Sequence, residues 1–159
     1  MQEGDTTKGQ KEGRGPLPPV YLLLCIGLAV LLHYFAPITT IIPDPLGWIG
    51  VAVIVIGVLV IAFPAVSFSA ADTTIIPFRE SSSLVISGLF RYTRNPMYVG
   101  MVIIIIGTDI LLRSLSPFVV PVLFVIIINR MIIPVEERML ERMFGDDYRD
   151  YKNTVRRWI

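Results

Sequence analysis

Four apolar stretches almost empty of charge constrain this chain more than anything else in it. Val20 to Ala36 is a charge-free run of 17 residues, and Leu46 to Ala71 is one of 26. Met97 to Leu112 supplies 16 residues with Asp109 as the one charge, and Leu115 to Ile133 supplies 19, interrupted late by Asn129 and Arg130. A helix needs about 20 apolar residues to cross a hydrocarbon core, with about 17 as the practical minimum. The pattern therefore predicts an all-α integral membrane protein of about four transmembrane helices, the third of them short. The second helix is expected to end near Pro64, since an internal proline removes a backbone hydrogen bond and crowds the preceding turn.

Composition agrees. Hydrophobic residues make up 53% of the 159 and charged residues 17%, with mean hydropathy +0.67, against about 25% charge in an ordinary soluble domain. With 14 basic and 13 acidic side chains, net charge is +1, which excludes a polycationic nucleic-acid binder. A lone cysteine, Cys25, excludes a disulfide framework, and a lone histidine, His33, excludes the usual multi-histidine metal sites.

Basic residues orient the helices. An N-terminus in the cytoplasm puts thirteen of the 14 basic residues on that side and leaves only Arg113 outside. Both termini are thus expected to be cytoplasmic, with the polar chemistry on the same face. Residues 1–16, polar and glycine-rich, read as a disordered cytoplasmic leader, and 17–159 as a single domain. The leader's mixed charge and the lack of a small-residue cleavage site argue against a removed signal peptide. A loop is expected over Ala70 to Ser83. No internal repeat, glycine-rich phosphate loop or Ser/His/Asp pattern is present.

Two polar clusters remain. The first is Gly88 to Gly100 (GLFRYTRNPMYVG). Asn95 is a favoured helix cap, and Pro96 suits the first turn, where its missing N–H costs nothing. A helix begun this way turns positive N–H groups toward the cytoplasmic interface, where carboxylates and phosphates bind readily, and Arg91 and Arg94 add charge. The plain alternative is a well-capped membrane helix with arginine anchors, whose Gly100 and Gly107 serve close helix contact. The second cluster is Pro134 to Lys152. Val135, Met139, Leu140, Met143 and Phe144 form one apolar stripe; Gly145 ends that helix, and Asp146 is expected to cap another carrying Tyr148, Tyr151, Val155 and Trp158. Glu136 and Glu137 open this cluster, with a solvated helix start as their plain reading. Asp109 and Arg113, spaced i, i+4, suggest a local ion pair. Asn129 and Arg130 lie near the inner edge, where arginine snorkels or a polar pocket opens inward.

Together, LFRYTRNPMYVG, a hydrophobic hairpin and PVEERMLERMFGDDYRDYKNTV resemble the membrane methyltransferase superfamily that contains isoprenylcysteine carboxyl methyltransferases and phospholipid N-methyltransferases. Its signature is Arg-His-Pro-x-Tyr-x-Gly, a helical hairpin, Glu-Glu, then Phe-Gly-x-x-Tyr-x-x-Tyr. The likeness covers residues 84–159. It implies S-adenosylmethionine as cofactor, held by Arg94, Asn95, Pro96, Tyr98, Gly100, Glu136 and Glu137, with Glu137, Tyr148 and Arg130 as candidate catalytic residues. Asn95 stands where the family carries histidine; it retains a hydrogen-bonding cap but lacks the imidazole's stacking face and charge. The implied activity is methyl transfer to a lipophilic acceptor reached from the bilayer. A carboxylate acceptor needs no base, whereas an amine must first lose a proton, to Glu136, Glu137 or a tyrosine. A membrane NADPH-dependent reductase of related architecture and a non-enzymatic four-helix transporter or scaffold are the alternatives. Oligomeric state is not legible.

Overall fold

The structure, a computed structural model, describes residues 17–70 and 84–159. The expected leader and most of the expected 70–83 loop lie outside the described residues. The described chain is helical: α1 (Pro18–Phe35), α2 (Ile49–Ala70), α3 (Pro96–Leu112), α4 (Val119–Ile127), a π-turn (Ile128–Ile132), α5 (Ile133–Phe144) and α6 (Asp146–Thr154), with short 3-10 turns before α2, α3 and α4. Three segments are long and apolar enough to cross a membrane: Pro18–Phe35, Leu46–Pro64 and the unbroken rod Ser116–Phe144. The short third helix, α3, has 17 residues. Leu23, Leu24, Tyr34, Leu59, Val122 and Ile126 are exposed along these helices, a surface suited to lipid rather than water.

Helix α3 is the hub, packing against α2 on one side and α1 and α4 on the other. On the α1/α4 side, Tyr98, Met101 and Ile105 interlock with Cys25, Ala29, Val120, Phe124 and Ile128. On the α2 side, glycines let two backbones touch. A Cβ on Gly57 would stand 2.8 Å from the Gly100 carbonyl oxygen, and one on Gly107 would stand 2.9 Å from that of Gly50. Both pairs repeat after seven residues, two helical turns, so they form one continuous seam.

Several local expectations are corrected. Helix α2 continues through Pro64 to Ala70. The proline forfeits its own N–H bond, but in an apolar setting abandoning the helix would strand many more backbone groups. The rod Ser116–Phe144 does not break at Ile133. Pro134 has no N–H to give to residue 130, and the π-turn just before it, where bonding runs to the fifth residue back, absorbs the mismatch. Asp146 does not cap α6: Gly145, at φ 54, holds that position, and Asp146 lies inside the helix paired with Arg149.

Arg113 does not pair with Asp109. It ends α3 in the left-handed conformation, φ 66, which swings its side chain off the i−4 face to an ion pair with Asp44. Around it the 37–45 connection is clasped: Ile41 N–H donates to the Arg113 carbonyl, Leu115 N–H to that of Thr39, and His33 Nδ1 lies 2.8 Å from Ser114 Oγ. Asp109 is left with 0% exposure and both carboxyl oxygens without hydrogen bonds among the described residues. Burying a polar group unpaired costs about 1–3 kcal/mol. Asp109→Leu is therefore expected to stabilise the fold by about that amount, read as a higher unfolding midpoint in detergent; a lower midpoint would show that the carboxyl has a partner.

Candidate functional site

The opposite end of α3 gathers the polar residues. Gly88, at φ 61, and the 3-10 turn Gly88–Arg91 lead the chain to Asn95. Pro96 begins α3 as expected, but the Asn95 side chain does not cap it. Asn95 adopts φ −130, ψ 54 and donates from Nδ2 to the Arg157 carbonyl at 2.9 Å. The side chain is turned so that its amide nitrogen serves the tail, and its oxygen caps no first-turn N–H. Thr93 Oγ1 donates to the same carbonyl at 3.2 Å, and Arg94 N–H to that of Arg156 at 2.9 Å. The segment after α6 is thus stitched across the start of α3.

Side chains from the three parts then converge. Arg157 forks onto Glu137, Nε to Oε1 at 3.0 Å and Nη2 to Oε2 at 2.6 Å, and its Nη1 donates to Asn129 Oδ1 at 3.0 Å. Arg94 Nη1 lies 3.2 Å from Glu137 Oε1, with side-chain exposures of 10% and 9%. This is an ion-pair contact only: neither Nε nor Nη1 of Arg94 makes a hydrogen bond among the described residues. One turn into α3, the buried Tyr98 phenol donates to Glu136 Oε1 at 2.7 Å. The adjacent glutamates therefore differ. Glu137 is bracketed by two guanidiniums, whereas Glu136 meets a phenol.

Behind them α6 supplies an aromatic wall. Tyr148 and Tyr151 pack with Phe90, and Tyr151 donates to the Phe90 carbonyl at 2.7 Å. Burial, followed by the negative charge of Glu137, pushes the Tyr148 phenol up to about 12, while Arg94 pulls the other way. Tyr151 is raised too, chiefly by burial. Arg157 is raised by its hydrogen bond to Glu137 and so stays cationic throughout. A phenol raised from 10.0 favours its neutral form: the stability this lends is fully present below pH 10.0 and is lost only as pH rises through about 12. Tyr148 cannot accept a proton near neutrality. Tyr148→Phe is accordingly expected to leave the pH dependence of ligand binding between about pH 6 and 9 unchanged, measured by titration calorimetry; a shifted inflection would contradict this.

Of the candidate residues, Arg94, Asn95, Pro96, Tyr98, Gly100, Glu136, Glu137 and Tyr148 all lie at this end. Gly100 serves the α2 seam, its Cα facing the Gly57 carbonyl. Arg130 is exposed on the π-turn and is not among the partners of Glu137. The sequence reading missed Arg157 and Thr93 and gave Asn129 no partner; Arg157 had no signal beyond being one of several basic tail residues.

Comparisons with known proteins bear on the family of the chain. The family model described as phospholipid methyltransferase matches residues 46–147. Protein-S-isoprenylcysteine O-methyltransferase A of Arabidopsis thaliana is 30% identical over 140 residues, covering 80% of this chain and 70% of that protein. A probable protein-S-isoprenylcysteine O-methyltransferase of Oryza sativa subsp. indica is 28% identical over 114 residues, covering 68% and 58%. The Schizosaccharomyces pombe protein-S-isoprenylcysteine O-methyltransferase is 37% identical over 75 residues, covering 45% and 30%. The chain thus spans little more than half the length of the rice relative and under a third of the yeast one. With a family match across most of its helical core and a relative similar over four fifths of it, the chain belongs to the phospholipid methyltransferase family.

Proposed function

We propose that this chain is an S-adenosylmethionine-dependent methyltransferase acting on a lipophilic acceptor at the cytoplasmic face of a membrane. The observation that carries the reading is Arg94: a guanidinium nine-tenths buried, with Nε and Nη1 making no hydrogen bond among the described residues, at the point where α3, α5 and the tail meet. Unpaired buried donors cost about 1–3 kcal/mol each unless a ligand satisfies them. A carboxylate, such as the one on the methyl donor's amino-acid end, suits them.

The residues fit the rest of that donor. Glu137 is committed to Arg94 and Arg157, so Glu136, with one oxygen beyond its bond to Tyr98, is the glutamate left for ribose hydroxyls. Bound there, the donor supplies a sulfonium methyl for in-line displacement, which the protein speeds mainly by alignment and by keeping water out. With Glu136 given to the ribose, and Tyr148 and the saturated Glu137 unsuited to taking a proton, none of the candidate bases is left for an amine, which favours an acceptor that arrives already anionic, a carboxylate. The isoprenylcysteine named in the relatives carries one. The cytoplasmic placement rests on the arginine and lysine distribution.

The test is to incubate protein in liposomes with methyl-labelled S-adenosylmethionine and a farnesylated cysteine, then to analyse the lipid fraction by mass spectrometry. A labelled product that loses its label in mild base, as a methyl ester does, supports the reading. Label stable to base would move the acceptor to an amine, and no lipid label would contradict the activity.

A further inference from the structure

Asn129, inside the π-turn Ile128–Ile132, sits eight residues before Glu137, the glutamate that the two arginines share. In an uninterrupted α-helix, eight residues advance about 800°, which leaves Asn129 and Glu137 about 80° apart around the axis. A π-turn accommodates one extra residue, so the pair behaves as though seven residues apart, about 20° from alignment. Both side chains consequently reach one guanidinium: Arg157 Nη1 donates to Asn129 Oδ1 at 3.0 Å, while Nε and Nη2 hold Glu137. Arg130 and Met131, the next two residues of the turn, point outward and are exposed.

Arg157 also ties the backbone together, because its carbonyl accepts from both Thr93 and Asn95 beside Arg94. Moving the Arg157 guanidinium would therefore disturb Glu137 and the approach to α3 at once. Without Asn129, Nη1 would have no acceptor there, and the fork would be free to rotate about its contact with Glu137. Glu137 could then form hydrogen bonds with Arg94, consuming the nitrogens that the Arg157 fork now leaves without acceptors.

We infer that Asn129, brought into register by the π-turn, is a positioning residue for methyl-donor binding: it fixes Arg157 on Glu137 and so keeps the Arg94 nitrogens available. This rests on the reading of the Arg94 end as the donor site.

The test is calorimetric titration with S-adenosylhomocysteine of the full chain in detergent, as unmodified protein, Asn129→Leu and Asn129→Asp, each with its unfolding midpoint. Asn129→Leu suits the apolar helix, so it is expected to hold its midpoint within a few degrees while the dissociation constant rises at least tenfold. Asn129→Asp keeps an acceptor oxygen for Nη1 and is expected to restore affinity to within about threefold of the unmodified protein. Equal affinity in all three proteins would overturn the inference and leave the donor site standing. Weakened binding in Asn129→Leu that Asn129→Asp fails to restore would also overturn it. No binding by the unmodified protein would overturn the functional reading and this inference with it.

Discussion

Glu137→Ala is expected to be the most damaging single change at the site, lowering stability by about 3 kcal/mol, and to weaken donor binding because the Arg157 fork loses its anchor. The carboxylate is 7% exposed and faces two guanidiniums, Arg94 and Arg157. Removing one member of a buried ion pair commonly costs about 3–5 kcal/mol, because the remaining charge keeps its desolvation penalty without its counter-charge. Arg157 is about one-third exposed, so water relieves part of that cost and the effect falls at the lower end. The measurement is the unfolding midpoint in detergent alongside S-adenosylhomocysteine titration. A cycle with Arg157→Leu isolates the coupling: the double variant is expected to be more stable than the sum of the two single losses predicts, since Arg94 is then the one guanidinium stranded beside Ala at 137. Strict additivity would contradict the pairing.

The seam between α2 and α3 carries the second large effect. Gly57→Ala is expected to cost about 1–3 kcal/mol, and Gly57→Leu more. The new Cβ would lie 2.8 Å from the Gly100 carbonyl oxygen and 2.7 Å from Ile104 Cγ1, and backbone cannot move aside as a flexible side-chain tip does. The helices must separate, which also shifts the start of α3, where Tyr98 and Arg94 sit. Donor affinity should therefore fall together with the midpoint. Gly27→Ala is the control: nothing lies within 4 Å of a Cβ there, so no loss is expected. Equal midpoints for Gly57→Leu and Gly27→Ala would show that the two backbones do not meet at this seam.

The helices were legible because membrane spans are written in long runs that tertiary context cannot override. Observed α1 and α3 begin within two residues of the expected Val20 and Met97. The end of α2 was read less well, since proline at 64 argues locally for a break while lipid argues for continuity, and lipid wins. The Asp109–Arg113 pairing failed for a related reason: i, i+4 spacing brings side chains together only where both residues remain helical, and Arg113 is the residue that leaves the helix. At the site, the motifs around Asn95 and Glu136 named most of the cluster because each is local. Arg157 was invisible because it reaches Glu137 across twenty residues and a chain reversal at Gly145, a distance on which spacing carries no information. The Asn129 alignment was hidden too, since ordinary helical periodicity places it on a different face from Glu137.

Arg94 and the glutamates behind it are proposed to bind a sulfonium nucleotide at one end of α3. Isothermal titration of the unmodified protein and of Arg94→Gln with S-adenosylhomocysteine tests this most directly. Saturable one-to-one binding by the unmodified protein, weakened at least tenfold in an Arg94→Gln variant that still unfolds cooperatively, is the predicted result. Absence of binding at millimolar ligand, or equal affinity in the two proteins, would contradict it.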